Sequence, residues 1–244
     1  MIARMSSWRR SRWVILLATL AAAALTARLG VWQLDRAAQK TAIQTRIEER
    51  TSMPALPAAD LARTADQAAG QHYRRITLRG QWLSGHTVFL DNRPMNGRSG
   101  FIVVTPLLLS VGDAVMVQRG WMPRDLQDRS RLQPLPTPAG EVTLTGRIAP
   151  EPSRLLEFEA VNSGAIRQNL DAREFAREIG HTLRPLSIQQ VDGADAPPDG
   201  LQRQWPLPAA DVGKHHGYAF QWFALCALIL GLYVWFQLLR PRSP

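Results

Sequence analysis

Two long apolar runs, one near each end, decide what this 244-residue chain can fold into. The segment Gly217 to Leu239 holds 23 residues without a charged side chain. At about 1.5 Å per residue, a helix of that length crosses a hydrocarbon core of roughly 30 Å. Trp13 to Leu34 is similar apart from Arg28, whose aliphatic stem can lie along an apolar surface while its head reaches the water interface. Both runs are predicted to span a membrane. An alternative takes Trp13 to Ala27 as the apolar region of a cleaved signal peptide, but apolar residues continue through Leu29, Val31, Trp32 and Leu34 and favour a retained span.

The chain carries 29 Lys plus Arg against 20 Asp plus Glu, an excess whose meaning depends on where it sits. Arg4, Arg9, Arg10 and Arg12 precede the first run, Arg28 lies near its far end, and Arg240 and Arg242 follow the second. Setting these seven aside leaves 22 basic residues against the 20 acidic ones, all of which lie between Asp35 and Asp211. Such a balance is an ordinary solvated surface; membrane lipid is the expected neighbour and nucleic acid is not. Basic residues at the outer ends of both runs place the two termini in the cytoplasm and the centre outside it. The expected organisation is a cytoplasmic N-terminus (1–12), a first span (13–34), an external β-rich domain with an N-terminal helical extension (35–213), a second span (214–239) and a cytoplasmic C-terminus (240–244).

Between the spans, Asp35 to Arg50 is rich in helix formers with Ile43 and Ile47 at helical spacing, so the first helix is expected to run on beyond the membrane. Met53 to Gly70, with Pro54 and Pro57, reads as a connector with one short helical turn. Strand patterns follow at Tyr73–Leu83, His86–Asn92, Phe101–Leu109, Ala114–Trp121 and Glu141–Ile148, each bounded by Gly, Asp, Asn or Pro, with a last strand at Thr182–Val191. Pro134, Pro136 and Pro138 make Arg129 to Gly140 an extended loop. Phe175 and Ile179 suggest a short helix over Ala172–Ile179, and Ala196 to Pro208 reads as a loop back to the membrane. The fold class is therefore an α+β membrane protein, with two transmembrane helices flanking one domain built on a mainly antiparallel sheet or partly open barrel.

One Cys and five His exclude a disulfide framework, a Cys-x-x-Cys redox pair, a zinc ribbon and a thiolate copper site within one chain. Cys226, alone in mid-span, reads as a small buried hydrophobe. Asn96 to Gly100 misses the Gly-x-Ser-x-Gly spacing of a nucleophile elbow, and His72, His86 and His181 are isolated in sequence. The start of the second span, Lys214 to Phe223, is richer. Seven residues of helix advance about 700°, which returns Trp222 to within about 20° of His215, while His216 is turned about 100° away. A neutral imidazole is a good axial ligand for haem iron and an indole on the same stripe can lie against a porphyrin; equally, both residue types are enriched in the interfacial belt of any membrane helix.

Four blocks in order carry a resemblance. They are Leu29-Gly30-Val31-Trp32-Gln33-Leu34-Asp35-Arg36 with Lys40; Ser99-Gly100-Phe101 leading to Thr105-Pro106-Leu107; Val117-Gln118-Arg119-Gly120-Trp121-Met122-Pro123; and His215 with Tyr218, Ala219, Trp222 and Phe223. From about Leu29 to Phe236 the chain resembles the surfeit locus protein 1 family of cytochrome c oxidase assembly factors. It departs from the family pattern at Gly213-Lys214, where many members carry an asparagine shortly before the histidine, and at Met122, where an aliphatic residue is usual. The resemblance implies a non-enzymatic assembly factor of the bacterial inner membrane that binds haem a transiently and assists its insertion into oxidase subunit I, with haem a synthase as a further partner. The family histidine maps onto His215 as ligand to the haem iron and the tryptophan onto Trp222, with Tyr218 beside them.

Arg119, Arg93 or Arg36 would suit haem propionates or the oxidase, because guanidinium binds carboxylate in a bidentate fork; the competing role is bonding loop or strand-end carbonyls. Trp32 and Arg36 would complete a pocket opposite His215 if the spans are adjacent. Two rival functions predict different things. A scaffold that stabilises an oxidase intermediate without haem does not need His215. A membrane-tethered periplasmic enzyme needs His72, His86 or His181 gathered with carboxylates.

Overall fold

The computed structural model describes residues 2–125, 127–128, 130–155, 164–192, 199–206 and 212–240, with side chains from residue 12 onward. Arg242, the side chains of Arg4, Arg9 and Arg10, and parts of the predicted loop Ala196 to Pro208 lie outside the described residues. The chain divides into two units, Met1–Arg46 with Pro206–Pro244, and Ile47–Trp205.

The first unit holds α1 (Ile2–Ser52) up to Arg46 and α4 (Val212–Val234), the latter followed by a wider π turn at Trp235–Leu239. Both are long and apolar enough to cross a membrane. The predicted extension of the first helix beyond Asp35 is present. Hydroxyls within α1 are satisfied locally, Thr19 donating to the Ile15 carbonyl at 2.8 Å and Thr26 to that of Ala22 at 2.9 Å, so they bring no unpaired polar group into an apolar helix. Trp13, Leu17, Leu25, Phe220, Leu228 and Leu238 are exposed, a surface suited to lipid and not to water.

The second unit is built on a seven-stranded sheet of order β1-β5-β7-β4-β3-β2-β6. The strands are β1 (Arg75–Trp82), β2 (Val88–Leu90), β3 (Gly100–Ser110), β4 (Asp113–Pro123), β5 (Glu141–Ala149), β6 (Ile166–Arg167) and β7 (Thr182–Gln190). A short β1–β3 ladder, Gln81 opposite Leu108 and Trp82 opposite Leu107, returns the path β1-β5-β7-β4-β3 on itself. Strand β1 buries every second residue, one face inward and one outward, as the period-2 pattern demands. Leu78, Leu107, Val115, Val117, Ile148, Leu186 and Ile188 pack inside the ring.

Strand β4 is buried on both faces: Val115 and Val117 point to that inner core, while Ala114 and Met116 pack under Phe175 and Ile179 of α3 (Ala172–Ile179). The bounds of α3 are those expected, and its ends explain them. Asp171 caps the helix by accepting from the Arg173 and Glu174 amides, and Gly180 ends it in the left-handed conformation at φ 71°. In the connector, the single expected turn is a 3₁₀ turn at Ala58–Asp60 plus a second short helix, α2 (Ala65–Gln71).

The expectation of a mainly antiparallel sheet is corrected: the sheet is mixed, with β7 parallel to β4 and β6 parallel to β2. The physical reason is the long connection after β5. Parallel neighbours need a crossover, and the segment carrying β6 and α3 supplies it, covering the outer face of β2, β3 and β4 before β7 enters between β4 and β5.

Candidate functional site

The chemistry-bearing residues of the first unit lie on the seam between its helices. Along α4 the buried and half-buried positions fall at Val212, His215, Ala219, Trp222, Cys226, Ile229 and Tyr233. Along α1 the buried Ala23, Thr26, Gly30 and Ala37 and the half-buried Gln33 and Lys40 form the matching row, with Ala22, Ala27 and Leu29 half-buried beside it. Steps of three and four alternate on both, the 3.5-residue repeat of helices packed side by side. Small residues bring the backbones close. The Cys226 thiol donates to the Ala23 carbonyl at 3.4 Å, and a Cβ on Gly30 would lie 2.8 Å from the Phe223 ring. These contacts fix an antiparallel pair, with His215 opposite Gln33.

His215 and Trp222 therefore share one face, as their seven-residue spacing requires, and both are half-buried. The third predicted site residue, Tyr218, is 51% exposed and sits on the flank of that face. The imidazole Nδ1 lies 2.8 Å from the Oε1 atom of Gln33. Among the described residues the Nε2 atom makes no hydrogen bond. An imidazole anchored at one nitrogen and open at the other is the donor set that a haem iron requires, so the residues present fit the group.

Gln33 was not among the residues singled out from sequence. Its signal was there, since it continues the small-residue repeat of Thr26, Gly30 and Ala37. Trp32 and Arg36 do not stand opposite His215. One residue along a helix turns the side chain by about 100°, and Trp32 is 49% exposed with the Arg36 guanidinium 5.7 Å from its ring centroid. Arg36 also donates to Gln39 on its own helix. Trp32 lines, with Leu25, Arg28, Leu29, Val31 and Asp35, a groove of about 430 Å³ on α1.

The other predicted arginines belong to the second unit and are structural. Val103 pairs with Gly120 and Val104 with Gln118, which leaves Arg119 as the extra residue of a β-bulge. The bulge turns a buried guanidinium to within 4.9 Å of the Trp82 ring centroid, where it donates to Thr137 Oγ1 and the Pro136 carbonyl, both at 2.8 Å. Gly120 is required beside it, because a Cβ there would stand 2.6 Å from Leu201 Cβ. Trp121 is buried and its indole donates to the Arg93 carbonyl at 2.6 Å. Arg93 itself donates to the carbonyls of Ser153 and Gln168. The carbonyl-bonding role is thus the one observed for Arg93 and Arg119.

His72, His86 and His181 stand on three separate segments, the end of α2, the turn before β2 and the turn after α3. Among the described residues no three His, Cys, Asp or Glu side chains gather as a metal site. Burial and the nearby Arg50 hold the His72 imidazole below its ordinary pKa.

The model of the SURF1 family matches residues 20–227. An uncharacterized SURF1-like protein of Mycobacterium tuberculosis is 27% identical over 221 residues, covering 88% of this chain and 79% of that protein. Surfeit locus protein 1 of Xenopus tropicalis is 24% identical over 255 residues, covering 92% and 74%. The cytochrome oxidase assembly protein SHY1 of Saccharomyces cerevisiae is 30% identical over 95 residues, covering 38% of this chain and 24% of that protein. The matched span takes in part of each helix of the seam, with His215 and Gln33, and the whole sheet, and the chain belongs to the SURF1 family.

Proposed function

We propose that this protein is a membrane-anchored assembly factor for cytochrome c oxidase that carries haem a as cargo and assists its insertion into subunit I. Family membership and the assembly role named for the yeast relative support the oxidase. The haem a reading rests on one observation, the His215 imidazole held by Gln33 at Nδ1 and open at Nε2, with Trp222 on the same face. In this reading His215 supplies the axial nitrogen to iron, Trp222 offers an apolar surface beside it, and Tyr218 borders the site from the exposed side. A carrier must also release its cargo, and one protein ligand suits release better than two. Haem a synthase is the source from which such a carrier would load.

In this reading both apolar helices cross the bacterial inner membrane, with the termini in the cytoplasm and the sheet domain in the periplasm; the flanking arginines support that orientation. The role is carriage and not catalysis. The competing scaffold reading, in which the sheet domain steadies an oxidase intermediate without haem, gives a different result in one experiment. In cells lacking this protein, complementation with His215→Ala should leave the oxidase deficient in haem a while the variant accumulates to normal levels. Normal haem a content in the oxidase of those cells would favour the scaffold.

A further inference from the structure

We propose that Gln33 is a positioning residue that fixes His215 in the tautomer carrying its proton on Nδ1, leaving Nε2 as the ligating atom. The inference rests on the haem reading for its purpose, and the contact that carries it is the one between His215 and Gln33. A carboxamide oxygen only accepts hydrogen bonds, so the ring nitrogen 2.8 Å from Gln33 Oε1 must be the donor. A neutral imidazole has one N–H; with that proton on Nδ1, the Nε2 lone pair is free. Without Gln33 the ring would be able to rotate and place its proton on either nitrogen, and the form protonated at Nε2 cannot ligate through that atom.

The position is built for this role. Gln33 and His215 occupy facing places on the two helices, flanked on α1 by buried Gly30 and Ala37 and on α4 by buried Ala219. Those small neighbours leave the two polar side chains to meet each other. An uncharged amide suits a site at the edge of an apolar segment, since it orients the imidazole without adding a second charge to be desolvated. Gln33 itself does not touch the cargo in this account; it acts through His215.

The full-length protein in detergent, labelled with ¹⁵N-histidine, allows a direct test. Long-range proton–nitrogen correlation should show His215 protonated at Nδ1 and bare at Nε2 in the haem-free wild type. Gln33→Met, which keeps the side-chain length and removes the acceptor, should shift His215 toward the Nε2-protonated form and weaken haem a binding by about 10- to 100-fold, the usual effect of losing such a partner. Gln33→Glu, which restores an acceptor, should recover the Nδ1-protonated form. A wild-type ring protonated at Nε2, or identical tautomers in wild type and Gln33→Met, would overturn the proposal. Failure of the haem reading is separately visible: His215→Ala would then bind haem a as the wild type does, whatever the tautomer measured.

Discussion

At the level of single residues, the two units use charge in opposite ways. On the helix pair the facing polar groups are an amide and an imidazole, whereas the sheet domain commits its buried arginines to holding its own chain. Arg184 shows this most fully: it grips Asp113 through two bonds, Nε to Oδ1 at 2.7 Å and Nη2 to Oδ2 at 2.6 Å, and donates to the Leu61 carbonyl. The hydrogen bond from Arg184 holds the Asp113 carboxyl below its ordinary range, against the opposing effect of burial. A carboxylate whose folded-state pKa is depressed stabilises the fold fully above its unfolded pKa of about 3.9 and loses that contribution as pH falls through the folded value. Arg184→Met should remove this share, so the wild type should lose more of its stability than the variant between about pH 5 and pH 2. Denaturant midpoints of the two proteins across that range would show the gap closing as the pH falls; parallel curves would contradict the assignment.

At the level of elements, the helix seam and the sheet differ in how far the sequence reveals them. Helix α3 was legible from Phe175 and Ile179 on one face, and the Asp171 cap and the left-handed Gly180 explain why it keeps those bounds. Strands β1 to β5 and β7 showed through alternation and turn residues, but alternation says which face is buried and not which neighbour lies beside it. Hence the parallel placement of β7 was hidden. The two residues of β6 are too few to show a period. On the helices, the face shared by His215 and Trp222 follows from spacing alone, while Gln33 was masked by its more conspicuous neighbours Trp32 and Arg36.

The seam itself can be tested covalently. The wild type has a single cysteine, so Ala23→Cys adds the partner that Cys226 needs, at the position whose carbonyl it already touches. Mild oxidation should join α1 to α4 within one chain, and proteolytic cleavage between the helices should leave the fragments linked until reduction. Adding Gly30→Leu, which drives the Phe223 ring out of its place, should sharply lower the yield. Efficient linkage in the presence of Leu at that position would contradict the close packing described.

At the level of the whole molecule, an apolar helix pair carries the His215–Gln33 contact and the sheet domain spends its buried arginines on structure. Its family supports a role in oxidase assembly, and haem a carriage at His215 is the claim to test. The most direct measurement is the visible spectrum of the protein purified in detergent from cells that make haem a. The wild type should carry the absorption bands of bound haem a and His215→Ala should lose most of them, with equal protein recovered and, when both are made with Ala23→Cys, the helix pair still crosslinked through Cys226. A wild type without those bands, or an alanine variant that keeps them, would contradict haem carriage at this imidazole.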